Sequence, residues 1–394
     1  MWTILSLVAI GFVLRVGYRL YEGEASFWNT GYTFFWDMAR SIEAGQGPMV
    51  ARVPAYPAFL AAMTLGHRAF LPIVISQAAI GAGTVLGSAL LAMELFGSSA
   101  ATLAAGLTAI YPYYVVHDTA LQETSLFTLV TLLSVLLLLW TWRTGSRKVA
   151  ALAGLALGAA VLTRVTIAPF ALLAPLWLLG KRRGAALVCA SVLALTVAPW
   201  MVRSYRLTGV PTLTTETGLQ LWDGNNPYTF SHYPVESIDR SKAAALDALT
   251  PQEQAELDSL NASETGSDAW FWRKGVDYIR GHPWVSLRNG ARKVVAAFGW
   301  WPSPRKGFWG NWVYLASYGP IMALGLAGLF LRRKAWREHM IVYALFVCFA
   351  AVTAVFFGHT SHRSYLDVYW IVFASGLISG PRDESSTNTP NLAT

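Results

Sequence analysis

Glu22, Glu24, Asp37 and Arg52 stand in one polar stretch between the first apolar run of the chain and the second. Further along, ionisable side chains interrupt apolar sequence in small groups: His117, Asp118 and Glu123; Arg164; Arg203; and His359, His362 and Arg363 with Asp367. Carboxylates can act as a general base or hold a metal ion, and several arginines can clamp a phosphate. The two together suit transfer of a group from a lipid phosphate, since a base takes a proton while the departing phosphate needs positive charge. Each residue also has a plainer reading. Arg203, after Ala198-Pro199-Trp200, can simply anchor a helix end. Glu123 can be stabilised by the dipole of a helix it opens. Asp37 fits the solvated face of an amphipathic helix, whereas Arg164 falls in a connection too short for a loop, which favours a buried clamp. His359, His362 and Asp367 could bind metal, yet they show no clean ligand spacing. Alone, these residues support a membrane enzyme or transporter that handles an anionic substrate.

The elements that must position them are helices in lipid. Of 394 residues, 54% are hydrophobic and only 13% are charged, against roughly 25% charged in a soluble domain. The apolar residues come in runs and not in amphipathic alternation. The net charge of +8 sits in clusters between those runs, as topology determinants do, so nucleic acid is excluded as a partner. Cys189 and Cys348 both lie in apolar segments, which excludes a disulfide framework and a cysteine metal site. Met1–Val13 lacks a basic n-region and a clear cleavage pattern, so it reads as a retained first helix.

A spanning helix needs about 20 mostly apolar residues, and plausible spans are read at 2–20, 69–95, 99–116, 124–142, 149–163, 166–180, 184–202, 311–331, 338–357 and 364–380, of which the fifth, sixth and tenth are short. The expected fold is therefore an all-α integral membrane protein of about ten transmembrane helices. With Met1 in the cytoplasm, the basic clusters Arg143–Lys148, Lys181–Arg183 and Arg332–Arg337 all fall inside, as the positive-inside rule requires. Both long connections then lie outside. In the first, 21–68, Phe34, Phe35, Met38, Ala39 and Ile42 recur at helical spacing, which predicts an interfacial helix, followed by a short helix from Ala58. The second, 203–310, holds an Asp-Gly-Asn-Asn-Pro turn at 223–227, a helical stretch 241–260 and a helix 267–281. Thr250, Pro251 and Glu253 have capping-box spacing and divide the helical stretch in two. This segment is too small for an independent core and is expected to cap the membrane part. Four regions result: 1–205 with the external loop 21–68, 206–310, 311–380, and a disordered tail at 381–394.

Several motifs resemble those of the GT-C membrane glycosyltransferases, in particular the branch of the protein O-mannosyltransferases and the lipid A aminoarabinose transferase. They are FFWDMARSIEAGQG with Arg52, Pro54, Tyr56 and Pro57; Gln77; Tyr111-Pro112 with Glu123-Thr124; Leu162-Thr163-Arg164; APWMVRSYRLTG at 198–209; GLQLWDGNNP at 218–227; and SHRSYL at 361–366. The resemblance implies a GT-C-like fold with a small helical periplasmic cap, in a bacterial inner membrane with both termini cytoplasmic. It implies transfer of a sugar, with inversion, from a polyprenyl-phosphate donor to a glycan, lipid or protein acceptor on the periplasmic side. Arg52, Arg164, Arg203 and Arg363 would bind the donor phosphate. His117, Asp118, Glu123, Tyr56, Trp222, Asn225, Asn226 and His362 would hold acceptor or donor, with a divalent metal ion as a further candidate. The acidic residue that this branch carries eight positions before the Ala matched by Ala39 is here Gly31, so Asp37 and Glu24 are the candidate bases. A transporter or flippase of a lipid-linked anion would also need such helices and arginines, although no inverted repeat supports it. Gly31 also fits a non-catalytic assembly protein of the same fold.

Overall fold

The computed structural model describes residues 1–45, 50–64, 68–260, 263–303 and 307–380, and among them there are helices and turns but no strand. The tail 381–394 and the Gln46-Gly47 part of the first-loop motif lie outside the described residues.

Helix α1 runs over Trp2–Thr30, well beyond the expected end at 20. Its apolar part stops near Tyr21, but the chain continues as helix through a kink at Gly23, whose φ of 82° only glycine adopts freely. The first external loop then supplies α2 (Thr33–Glu43) and α3 (Ala55–Thr64). Phe35, Trp36, Met38 and Ala39 are the buried face of α2, while Phe34, read as apolar-facing, is exposed. The bundle follows as α4 (Phe70–Phe96), α5 (Ser98–Ile110), the short α6 (Pro112–His117), α7 (Thr124–Thr144), α8 (Arg147–Thr163), α9 (Ala168–Leu179) and α10 (Arg183–Thr208). The expected span 99–116 is split at Tyr111, where Pro112 opens α6 at the one helical position that tolerates a missing N–H. The cap holds α11 (Thr217–Gly224), α12 (Ile238–Asp247), α13 (Pro251–Leu260), α14 (Glu264–Gly281) and α15 (Pro283–Ala297), and the chain closes with α16 (Phe308–Leu331), α17 (Trp336–Val355) and α18 (Asp367–Ile378). The capping box forms: Thr250 N–H donates to Glu253 at 2.9 Å and Glu253 N–H donates to Thr250 Oγ1 at 3.3 Å. Within the cap, Trp222, Ala245, Leu257, Trp270 and Phe271 form a small apolar cluster of their own.

Among the described residues six helices are long and apolar enough to cross a membrane: α1, α4, α7, α10, α16 and α17; shorter apolar helices include α5 and α9. Helix α4 packs on α1, α5 and α7, α8 lies between α7 and α10, and α18 packs on α16, α4 and α5. Close approach depends on small residues, as expected where lipid supplies no hydrophobic drive between helices. A Cβ at Gly154 would stand 2.4 Å from the Cys189 carbonyl oxygen and one at Gly158 would stand 2.6 Å from Thr196, so α8 and α10 touch through both glycines.

The three basic clusters lie together at one end of the bundle and tie helix termini there. Arg143 pairs with Glu94 and, at 3.7 Å, with Glu338. Arg182 donates to the carbonyls of Trp142 and Arg143 at 3.1 and 2.7 Å, and Arg332 to those of Gly376 and Gly380 at 3.1 and 2.7 Å. Cations at helix C-termini satisfy both the free carbonyls and the dipole. The remaining charged groups gather at the opposite end with the long loops.

Candidate active site at the loop end of the bundle

Helix α8 stops at Thr163 because Arg164 turns extended (φ −153°, ψ 118°) before a single 3-10 turn at Val165–Ile167. That break swings the Arg164 guanidinium across to Glu123, the residue just before α7. Its Nε and Nη2 donate to Glu123 Oε1 at 3.0 and 2.5 Å, and its Nη1 donates to the His362 carbonyl at 3.4 Å. Glu123 occupies the N-cap position of α7 but makes no side-chain cap there. The pair keeps contact with the outside, at 14% and 16% side-chain exposure. Below it Gln77 Nε2 donates to the carbonyls of Asp118, Ala120 and Gln122 at 3.2, 2.8 and 3.3 Å, which fixes the turn that carries Glu123. The Tyr56 hydroxyl and Gln77 Oε1 are buried without a hydrogen-bond partner.

A second ion pair comes from the loops. Thr215 N–H donates to the Val50 carbonyl at 3.2 Å and the Thr214 hydroxyl to that of Ala51, so the chain after α10 runs beside the Arg52 turn. Arg52 consequently meets Glu216 at 2.8 Å, with its guanidinium 5.4 Å from the Phe34 ring. His362 sits between the pairs, where burial first and then Arg164, His359 and Arg52 push its pKa down to about 3. It is therefore a neutral imidazole near pH 7, able to accept or donate a hydrogen bond. His117 lies on the Tyr113 ring at 4.2 Å, beneath the same turn.

Two candidate bases part company. Asp37 is exposed on α2 one turn beyond Phe34, hence on the face that meets Arg52. Glu24 is exposed on the extension of α1, where it accepts from its own Trp28 Nε1 at 3.1 Å. Trp28 contacts Trp36, on the opposite side of α2 from Phe34. Position 31 admits no acid: a Cβ there would stand 2.5 Å from Leu121 Cβ and 2.8 Å from the Phe27 carbonyl oxygen, and Tyr32 N–H donates to the Leu121 carbonyl at 3.0 Å.

Other expected site residues are deeply committed. Asp118 is fully buried against Arg15 at 2.7 Å, and Arg15 also donates to the carbonyls of Gly11 and Ala109 at 2.9 and 3.2 Å. Arg363 pairs with Asp367 at 2.5 Å, donates to the Ala297 carbonyl and Tyr314 hydroxyl at 2.9 Å each, and lies 3.3 Å from the Tyr318 ring centroid. Asn225 donates to the Leu221 and Val355 carbonyls at 2.8 and 2.7 Å, Asn226 to that of Trp222 at 2.7 Å, and the Trp222 ring packs on Phe271. Arg203 stacks 5.2 Å from its own helix's Trp200 and keeps a buried Nη1 with no partner. Among the described residues no three His, Cys, Asp or Glu come together as a metal ligand set, so no step is derived through a metal.

Reasoning from sequence overlooked Arg15, Lys293 and Asp223. Arg15 and Arg19 stand four apart in an apolar run, a signal that both face protein; Lys293 and Asp223 carry no comparable signal.

Residues 51–202 match the family model described as dolichyl-phosphate-mannose-protein mannosyltransferase. Among solved structures, the oligosaccharyltransferase AglB from Archaeoglobus fulgidus, in complex with an inhibitory peptide and a dolichol-phosphate, aligns with TM-score 0.57 at 16% identity, over 96% of this chain and 50% of that one. The chain is thus similar in fold to a membrane oligosaccharyltransferase, and less than half of its length matches the mannosyltransferase model. The apo form of the same archaeal protein aligns with TM-score 0.55 at 16% identity, over 95% and 50% of the two chains, so this chain spans about half the length of that protein. ArnT from Cupriavidus metallidurans bound to undecaprenyl phosphate lies lower, at TM-score 0.43 and 11% identity over 95% and 77% of the chains. No curated protein sequence matches.

Proposed function

We propose that the protein transfers a sugar from a polyprenyl-phosphate donor to an acceptor hydroxyl, with inversion at the anomeric carbon, at the loop end of the bundle. The observation that carries this reading is the convergence of the Glu123–Arg164 and Arg52–Glu216 pairs with neutral His362 in a GT-C fold. Asp37 is the assigned base. The acceptor oxygen attacks the anomeric carbon, its proton passes to the Asp37 carboxylate, and the bond from that carbon to the phosphate oxygen breaks. The departing phosphate monoester gains charge at that moment, and arginines aimed there stabilise the transition state more than the ground state. Arg52 and Arg164 fill that role, with the unpartnered nitrogen of Arg203 as a third donor. Glu123 holds Arg164 in place, and Tyr56, His117 and His362 offer hydrogen bonds to the sugar or acceptor. Asp118, Arg363, Trp222, Asn225 and Asn226 are assigned to holding the scaffold. The setting that goes with this reading is a bacterial inner membrane, with the site periplasmic and the termini cytoplasmic.

The test is transfer of radiolabelled sugar from polyprenyl-phosphate donors by purified protein, comparing wild type with Asp37→Asn and Glu24→Gln. Loss of transfer in Asp37→Asn with donor binding retained supports the reading, whereas loss confined to Glu24→Gln moves the base to α1. The packing of Leu121 on Gly31 favours a second reading, a non-catalytic member of the fold. Donor binding without transfer to any of a broad panel of glycan, lipid and peptide acceptors selects it, and donor movement across a vesicle membrane selects a flippase.

A further inference from the structure

The proposed reaction leaves unused an exposed apolar stripe on α15, whose opposite side is held in protein. One stripe, through Asn289, Gly290, Lys293 and Ala297, is buried in protein. Lys293 Nζ donates to the carbonyls of Gly224, Val355 and Phe356 at 3.0, 3.2 and 2.9 Å and to Asn225 Oδ1 at 3.3 Å. Those oxygens include the free carbonyls at the end of α17, a helix apolar and long enough to span the bilayer. Helix α15 is thus pinned to the mouth of a spanning helix and cannot roll. Its opposite stripe repeats at helical spacing as Trp284, Leu287, Ala291 and Val295, and three of these are large apolar side chains at 81%, 66% and 58% exposure. Arg288 and Arg292 form the adjoining row, both exposed. The chain then leads through exposed Trp300 and Trp301 into α16, itself a spanning helix, which opens with Trp309 at 77% exposure. From Asp277 to Glu338 the sequence contains no acidic residue.

We propose that the α15 stripe and the tryptophans that open α16 form a shelf that lies in the headgroup layer of the bilayer and prefers anionic phospholipid. Three features select this occupant. The stripe is continuous with a spanning helix at its membrane boundary. Tryptophan places an apolar ring and a polar N–H together, which suits the interface better than either water or hydrocarbon. Arginines without neighbouring carboxylates complement anionic headgroups, and a helix of this pattern sinks its apolar face to about 5–10 Å into the boundary. The shelf is independent of the glycosyl-transfer reading, because it rests on none of the residues assigned to that chemistry.

The full chain in lipid nanodiscs tests it. Cys189 and Cys348 are buried, so a nitroxide is attached through Leu287→Cys, with Ala291→Cys as a second position and Gln254→Cys on α13 as the aqueous control. Relaxation by oxygen, which partitions into lipid, and by a nickel chelate, which stays in water, reports depth. The expected result is a several-fold higher oxygen-to-nickel ratio at 287 and 291 than at 254. That ratio should be greater in phosphatidylglycerol than in phosphatidylcholine discs, and the lipid difference should vanish in the Arg288→Glu/Arg292→Glu background. Nickel access at 287 and 291 equal to that at 254 overturns the membrane contact. Protection from both probes that grows with protein concentration overturns it in favour of a second copy. An unchanged ratio between the two lipids overturns the anionic preference.

Discussion

Two arginine–carboxylate pairs at the same end of the bundle look alike in sequence and differ in what surrounds them. Arg363–Asp367 is 1% exposed on both sides, and the arginine's other two nitrogens donate to the Ala297 carbonyl and the Tyr314 hydroxyl. Tyr111 donates to the second carboxylate oxygen at 2.9 Å. Arg164–Glu123 is about as tight but open to the outside and bordered by loops. Each arginine uses all three of its nitrogens, so what separates the pairs is access: a phosphate has no path to a pair sealed on both sides, whose value is then to the scaffold. A half-open pair can exchange partners when an anion arrives. Residue type alone therefore does not identify a clamp; the path to solvent does.

Breaking the closed pairs should give the largest effect. Removing one partner leaves an uncompensated buried charge, at a cost of about 3–5 kcal/mol. Asp367→Asn and Asp118→Asn should each lower the thermal unfolding midpoint in detergent sharply, and Arg15→Met combined with Asp118→Leu should recover much of what either single change loses. If Asp367→Asn melts like wild type while abolishing transfer, the closed pair belongs to the chemistry and the comparison fails.

The open pair should respond in the opposite sense. Arg164→Lys keeps the charge but loses the two-nitrogen grip on Glu123. It should lower the turnover rate by about 100- to 1,000-fold, the loss typical of a donor aimed at developing charge, while the unfolding midpoint moves clearly less than in Asp367→Asn. Transfer kinetics and melting on the same preparation check it. A large drop in stability with normal turnover would assign Arg164 to the scaffold as well.

The third test restores the acid that the resemblance expects. Gly31→Asp must push its side chain into Leu121 and the Phe27 carbonyl, and overpacking of this kind costs roughly 1–3 kcal/mol. The expectation is a lower unfolding midpoint with no gain of transfer activity, whereas Gly31→Asp with Leu121→Gly should regain part of the stability. A more active Gly31→Asp protein would show that position 31 still faces the site and that Asp37 has been misassigned.

Much of this fold was legible because its determinants are local. Long apolar runs and basic clusters mark helices and their ends, and Thr250, Pro251 and Glu253 mark a helix start by chemistry within four residues. The end of α1 was not legible, since a polar sequence around Gly23 continues as helix only because Phe27 and Trp28 bury against α2 and α4. Site residues were legible as types, not as roles. Asp118 and Glu123 stand five apart in one turn, yet one meets Arg15 in the bundle interior and the other Arg164 at its rim. Both partners are distant in sequence, and no periodicity could say which carboxylate would be sealed.

The last test extends the comparison to the cap, where a buried carboxylate lacks any arginine. Asp223 is 2% exposed with an unpartnered Oδ1. Burial, opposed by Lys242 and reinforced by Asp239 and Glu216, pushes its pKa up to about 7, against about 3.9 for a free aspartate. A carboxyl raised in the folded state contributes stability that is complete below pH 4 and is lost as pH rises through 7, because folding then holds a proton the unfolded chain has released. The cap should therefore become easier to cleave by protease as pH increases from 5 to 8. Glu253 does not blur this window: hydrogen bonds from Lys274 and Thr250 hold it down at about 2. In Asp223→Asn, which cannot ionise, the slope of cleavage rate against pH should flatten relative to wild type while the bundle's own melting is unchanged. Equal slopes in the two proteins would mean that Asp223 has found a partner or water, and that burial without an arginine is cheaper here than the two arginine pairs imply.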